Sequence, residues 1–316
     1  MTTSQASSPS NLLSQVDQIR TQLTGAGAPF ERITVQVHGH NYLAYRNAFP
    51  NLPALINAGR AHGPREFMVY ENERWTFDRF FQGVDALAAN LQHQLGVKAG
   101  DRVAIAMRNR PEWAVAFAAI SLVGAVPAPL NSYGLHDELM ANLVDLQPKL
   151  LICDPERFAR VQNDLAALSC KAMVVDGTAQ QGDASWQAMT SASTTAHQTP
   201  ELLSTDPALV LFTSGASSQA KAVLSSHMAV CQALFNIDFI GAISAMTSPK
   251  AIELMMAKAL QPTTLTAVPL FHVSGLHAQL LTALRHGRRL VFMHRWDPQQ
   301  AIQLIQKEKT FLRLPS

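Results

Sequence analysis

Between residues 101 and 177 the chain alternates short, almost wholly apolar runs with segments of helical length: "DRVAIAM", "RPEWAVAFAAISLVG", "AVPAPL", "HDELMANLVDLQ", "PKLLICD" and "AMVVDG". A strand with one wet face alternates apolar and polar residues, so a strand apolar throughout must be covered on both faces. Helices provide that cover, and a repeated strand–helix–strand order makes the sheet parallel. The pattern predicts an α/β chain with doubly wound, mostly parallel sheets and helices on both faces.

The flanking segments extend this plan. "SNLLSQVDQIRTQLTG" sets Leu12, Val16, Ile19 and Leu23 on one helical stripe, with Ser10 as cap and Gly25 as stop. "ERITVQVHGHNYLAY" alternates and reads as a strand or hairpin, and "REFMVYENERWTF" as a hairpin around Glu71–Glu73. "LPALINAGRAH" and "TFDRFFQGVDALAANLQHQL" read as helices. The Ser-, Thr- and Gln-rich stretch 177–203 reads as a surface excursion with one short helix around Trp186, and "HRWDP" as a helix start capped by Asp297. Boundaries follow: 1–49 for a tail, helix and hairpin, 50–205 for a first α/β subdomain, and 206–316 for the start of a second.

Composition narrows the function classes. Of 316 residues, 47% are hydrophobic, enough for a sizeable core. The charge of +2, from 25 basic and 23 acidic residues with no basic run, argues against nucleic acid. Cys153, Cys170 and Cys231 form no CxxC pair and fit buried thiols in a reducing cytosol. No charged-then-apolar leader opens the chain, and the apolar run 114–130 is interrupted by Gly124, Pro127 and Pro129. A membrane helix needs about 20 apolar residues, so the expectation is a cytoplasmic protein without a transmembrane segment. His38 and His40 in "VHGH" would share one strand face, but no third ligand lies near them, so no metal site is expected.

The segment that suggests chemistry is "LVLFTSGASSQAKAVLSSH", residues 209–227. A phosphate loop aims backbone N–H groups at an anion just after a strand, with hydroxyls and a lysine in support. Here "ALVLF" is the strand, and Thr213, Ser214, Ser217 and Ser218 are the hydroxyls. Lys221 is the charge, and "AVLSSHMAVCQALF" is read as the following helix. A Walker A loop needs glycine and a hydroxyl residue where Ala220 and Ala222 stand, so that reading fails. The residues alone leave two readings, a phosphate loop or a serine-rich polar turn with a solvated lysine.

The segment resembles the phosphate-binding signature of the adenylate-forming superfamily, the acyl-CoA synthetases and their relatives, usually Thr-Ser-Gly-Thr-Thr-Gly-x-Pro-Lys-Gly-Val. Thr213, Ser214, Gly215, Lys221 and Val223 match it, and Ser217 matches conservatively. Upstream, "GVKAGDRVAI", the Asn109–Pro111–Glu112 step and "GAVPAPLN" are similar to that family's amino-terminal region. Downstream, "AVPLFHVSGL" (267–276) is similar to its substrate-pocket motif. The sequence departs at Ala216, Ser218, Ala220 and Ala222. Positive φ at Ser218 would cost about 1–2 kcal/mol, and losing proline at 220 about 0.4–1 kcal/mol. The expectation is a phosphate loop weakened about ten- to hundred-fold.

The resemblance implies a reaction. A carboxylate attacks the α-phosphate of ATP with Mg²⁺ present, and a thiol, usually coenzyme A, then displaces AMP. Thr213, Ser214, Gly215, Ser217, Ser218 and Lys221 would cradle the β- and γ-phosphates. His272 would sit beside the carboxylate, and Phe271, Val273, Ser274 and Gly275 would shape the pocket for a small-molecule carboxylic acid. A fatty acid is the first expectation, an aryl acid such as coumarate or benzoate the second. The residues end near the middle of the family's large domain, so the expected fold is an incomplete adenylate-forming amino-terminal domain. The implied function is that of an acyl-CoA synthetase-like ligase present as its amino-terminal portion; the alternative is a non-catalytic remnant that binds an acyl group or a partner. A last strand over "TFLRLPS" would leave an open sheet edge, to aggregate or to be covered by a second chain.

Overall fold

The computed structural model describes residues 9–177, 182–191, 195–213, 220–249, 253 and 260–310, with side chains from residue 13 onward. The strand expected over 311–316 lies outside the described residues. The chain divides into two compact units, Met1–Phe49 with Cys231–Leu260, and Pro50–Val230 with Gln261–Ser316.

The first unit contains helix α1 (Pro9–Thr24), strands β1 (Arg32–Val37) and β2 (His40–Tyr45), and most of helix α8 (His227–Thr247). The expected stripe on α1 is present, with Ile19 buried and Val16 and Leu23 half-buried. β1 and β2 form an antiparallel hairpin whose two-residue turn, His38 and Gly39, takes φ of 49° and 81°, the positive values that a tight hairpin turn demands. His38 therefore sits in the turn and not on a strand face beside His40, which removes the geometry that a histidine pair would need. Gln232 of α8 clamps the Tyr45 backbone, accepting from its N–H at 2.7 Å and donating to its carbonyl at 3.1 Å. Phe30 packs on Phe235 and Phe239 with ring centroids 5.1 and 5.3 Å apart.

α8 is 21 residues long with a mean hydropathy of 1.5, long and apolar enough to cross a membrane, and 22% of it is buried. Gln232, Asn236 and Asp238 interrupt its apolar sequence. The same length and composition also suit a packed helix.

In the second unit the runs that opened the argument form one parallel sheet in the order β6-β5-β7-β8-β9. Its strands are β5 (Arg102–Ala106), β6 (Val126–Pro129), β7 (Leu150–Cys153), β8 (Lys171–Val174) and β9 (Ala184–Ser185). Between β5 and β6 runs α4 (Pro111–Leu122), with every residue buried. It packs on α3 (Phe77–His93), which Thr76 caps by accepting from the Arg79 N–H at 3.1 Å. A second sheet has the order β12-β13-β3-β4, parallel except for its last pair. β3 (Glu66–Tyr70) and β4 (Glu73–Thr76) come from early in the chain, β12 (Thr263–Thr266) and β13 (Arg289–Phe292) from late.

The stretch 177–203 is strapped along α3. The Asn90 amide donates to the Met189 carbonyl at 2.8 Å, and Gln92 and the Gln198 backbone exchange two hydrogen bonds. Residues 178–181 and 192–194 of it lie outside the described residues. Cys153, Cys170 and Cys231 are all buried and in no disulfide, and burial pushes the Cys170 thiol up to about 12.

Candidate active site

β10 (Pro207–Thr213) lies beside β6, with Val210 in the same core as Val126 and Ala128. Residues 221–226 do not form the helix expected after the phosphate loop. They form strand β11 (Lys221–Ser226), antiparallel to β10, and α8 begins only at His227. The β-branched Val223 and the serines at 225 and 226 suit an extended chain, and pairing with β10 satisfies their backbone. Lys221 therefore opens a strand and does not stand at the N-terminus of α8. Ser214, Gly215, Ser217 and Ser218 lie outside the described residues. Thr213 pairs with Lys221, and the Thr213 hydroxyl donates to the Lys221 carbonyl at 3.5 Å. Both residues are exposed, and among the described residues no carboxylate pairs with Lys221.

The motif 267–276 folds as a tight turn after β12. His272 caps a single helical turn, Val273–Gly275, with its carbonyl accepting from the N–H groups of Gly275 at 3.0 Å and Leu276 at 2.8 Å. His272, Val273 and Ser274 are exposed and Phe271 half-buried, its ring 4.6 Å from the imidazole. Gly275 is buried, and a Cβ there would stand 2.1 Å from the Pro269 carbonyl oxygen, closer than any side chain can come. Residues 271–275 therefore share one turn, closed at a glycine.

What aims that turn is Asn109, which the sequence marked only as a family step. Its amide donates to the Val268 carbonyl at 2.9 Å and accepts from the Leu270 N–H at 2.9 Å. Pro111 then starts α4, and Arg110 pairs with Glu112 at 2.7 Å and with Asp176 at 2.6 Å. The signal for Asn109 was an asparagine just past a strand and before a proline-started helix.

A second loop sequence reasoning missed follows β6. Buried Arg157 donates to the Ser132 carbonyl at 2.7 Å and to Asp154 at 3.0 Å, and Arg160 donates to the Gly134 carbonyl. The Arg108 guanidinium carbon lies 3.6 Å from the centre of the Tyr133 ring, and the Tyr133 and Phe271 rings meet edge to face with centroids 6.2 Å apart. These loops border a small cleft, of about 30 Å³, lined by Arg108, Tyr133, Thr266, His294 and Trp296, among others. Among the described residues no group of three or more His, Cys, Asp or Glu could hold a metal ion.

The parallel, helix-covered sheets and the asparagine-clamped histidine turn are those of an α/β protein. The chain belongs to the AMP-binding enzyme family, whose model matches residues 55–312. It is 27% identical over 243 residues to 2-succinylbenzoate–CoA ligase of Bacillus velezensis, covering 77% of this chain and 44% of that protein. It thus spans less than half the length of that relative. Among solved structures it is similar to a putative long-chain-fatty-acid CoA ligase from Rhodopseudomonas palustris, with TM-score 0.68, 26% identity, and coverage of 84% and 62% of the two chains. The fold is also that of o-succinylbenzoate coenzyme A synthetase from Bacillus subtilis, solved with ATP and magnesium, with TM-score 0.60, 21% identity, and coverage of 83% and 62%.

Proposed function

We propose that this chain is the amino-terminal portion of an AMP-forming acid–thiol ligase that activates a carboxylic acid, a fatty acid first among the candidates, and passes it to coenzyme A. A carboxylate resists substitution because its oxygen leaves poorly, and adenylation makes that oxygen part of a mixed acyl–phosphate anhydride, from which AMP leaves readily. The acid's carboxylate attacks the α-phosphate of ATP, pyrophosphate leaves, and the thiol then displaces AMP. The supporting observation is the Asn109 clamp, which holds the exposed His272 turn by two hydrogen bonds to its backbone. Thr213 and Lys221 would hold the phosphate tail. Mg²⁺ keeps most of its waters and takes oxygens from the phosphates, so it would need no protein cage. Catalysis of this kind rests on positioning and charge neutralisation. Three buried cysteines outside any disulfide fit a cytoplasmic setting.

The test is carboxylate-dependent ATP–pyrophosphate exchange by the protein carrying this chain in its full reading frame, with octanoate, palmitate, benzoate and coumarate. Octanoate or palmitate is expected to support the fastest exchange. Faster exchange with the aryl acids would overturn the fatty-acid assignment. No exchange with any acid would overturn the ligase reading and leave an acyl- or partner-binding module. Residues 1–316 alone are expected to give no exchange.

A further inference from the structure

We propose that His227 is a positioning residue: its buried ring, bonded to the first residue of helix α2 (Leu52–Ala58), sets how far Thr213 and Lys221 stand from the His272 turn. The inference rests on the ligase reading, which assigns the phosphate tail to Thr213 and Lys221 and the acid to His272. The chain leaves β11 at Ser226 and enters α8 at His227 with no residue between. There the His227 N–H donates to the Asp206 carbonyl at 3.1 Å, and the Met228 N–H to the Ser204 carbonyl at 2.7 Å. These bonds close the open end of the β10–β11 pair. The imidazole, 2% exposed, accepts at Nδ1 from the Leu52 N–H at 3.1 Å. That N–H belongs to the first turn of a helix and finds no partner within it. Accepting at Nδ1 puts the ring's proton on Nε2, which among the described residues has no partner. An unpaired buried donor weakens a fold, so the ring's contribution lies in the acceptor it places.

Helix α2 in turn meets the elements that carry the acid end. It packs on α4, which starts two residues after Asn109, and on helix Thr282–His286. The latter continues the helical segment that begins at the His272 turn. Gly59, at the end of α2, comes so close that a Cβ there would stand 3.2 Å from the Leu284 carbonyl oxygen. One short helix thus has His227 at its start and the His272 segment at its end. Residues 221–224 of β11 are exposed, so the bonds at the strand's end weigh heavily in fixing its direction. Lys221 stands six residues before His227, about 20 Å along a strand. A swing of about 3° at His227 would carry the ammonium about 1 Å, a misplacement that can cost about a hundredfold in rate.

The experiment follows carboxylate-dependent pyrophosphate exchange by the protein in its full reading frame, below the melting midpoint of every variant. Asparagine places an acceptor where Nδ1 stands, glutamine where Nε2 stands, and leucine none. His227→Asn is expected to stay within about threefold of the native kcat/KM for ATP, whereas His227→Gln and His227→Leu lose at least about tenfold. Their loss should fall on kcat and on the KM for ATP, with the KM for the acid unmoved. A residue that served folding alone would change the folded fraction and leave both KM values as they were. In the native protein, ATP is expected to slow hydrogen exchange at the Leu52 amide at least about threefold. That readout decides if His227→Gln and His227→Leu do not fold. His227→Asn as poor as His227→Leu, an unaltered KM for ATP in folded His227→Leu, or a Leu52 amide indifferent to ATP would each overturn the inference. A native protein without exchange activity overturns the ligase reading and this inference with it. An active native protein with unaltered variants overturns this inference alone.

Discussion

Asn109 commits both ends of its amide to one turn, and Gly275 closes that turn where no other residue fits. Removing the Asn109 amide leaves a part-buried carbonyl and N–H without partners, at about 1–3 kcal/mol. Asn109→Ala should therefore lower the unfolding free energy by about 2 kcal/mol in a urea titration. Its exchange rate should fall further than this stability loss explains, because His272 loses its fixed position. An Asn109→Ala protein with unaltered exchange would show that the clamp is structural only. Gly275→Ala should be worse, since a Cβ 2.1 Å from a carbonyl oxygen forces the backbone itself to move. At this scale the sequence showed which residues mattered. Asn109, Pro111 and the 271–275 run were recognisable, but that Asn109 bonds residues 159 and 161 positions away was not.

Elements are docked by charge as well as by apolar faces. Helix Pro298–Glu308, capped by Asp297 as its sequence indicated, is pinned at its last residue. Glu308, 3% exposed, pairs with Arg74 at 2.8 Å and Arg289 at 3.5 Å, and the Arg289 guanidinium also donates to the Glu308 carbonyl at 2.7 Å. Arg74 and Arg289 both pair with Glu66 as well. Truncating Glu308 leaves two arginines short of a counter-charge, a change that costs about 3–5 kcal/mol when the pair is buried. Arg74 is half in solvent, so Glu308→Ala is expected to cost nearer 3 kcal/mol, read from thermal or urea unfolding; a loss under 1 kcal/mol would refute it. The one element read wrongly, residues 221–226, failed for a reason of the same kind. "AVLSSH" has no strong period, and a strand partner, not local preference, decided it.

For the whole molecule two pH levers on the acid side point the same way. Burial pushes His277 down from 6.5 to about 4. Its folded pKa lies below its unfolded one, so the unfolded chain takes up the proton first. Stability is full above pH 6.5 and falls as pH drops to about 4, by roughly 3 kcal/mol. Asp85 behaves similarly at lower pH. Burial raises it, but hydrogen bonds from His197 and Arg60 outweigh that and hold it at about 2 against an ordinary 3.8. Its contribution is present above pH 3.8 and lost toward pH 2, and it is small because Asp85 is 43% exposed. Urea midpoints should therefore fall between pH 6.5 and 4.5 in the native chain and much less in His277→Leu. An equal fall in both would assign the loss to other groups.

The sequence by itself determined the α/β plan, most helix and strand positions, and the family, because apolar period, caps and short motifs are local properties. Tertiary structure alone decided that β3 and β4 join β12 and β13 across some 200 residues, that residues 221–226 pair as a strand, and that Arg108, Tyr133, Thr266 and Trp296 line one cleft. Those outcomes depend on which surfaces meet, and contacts between distant segments leave no period in the chain that makes them.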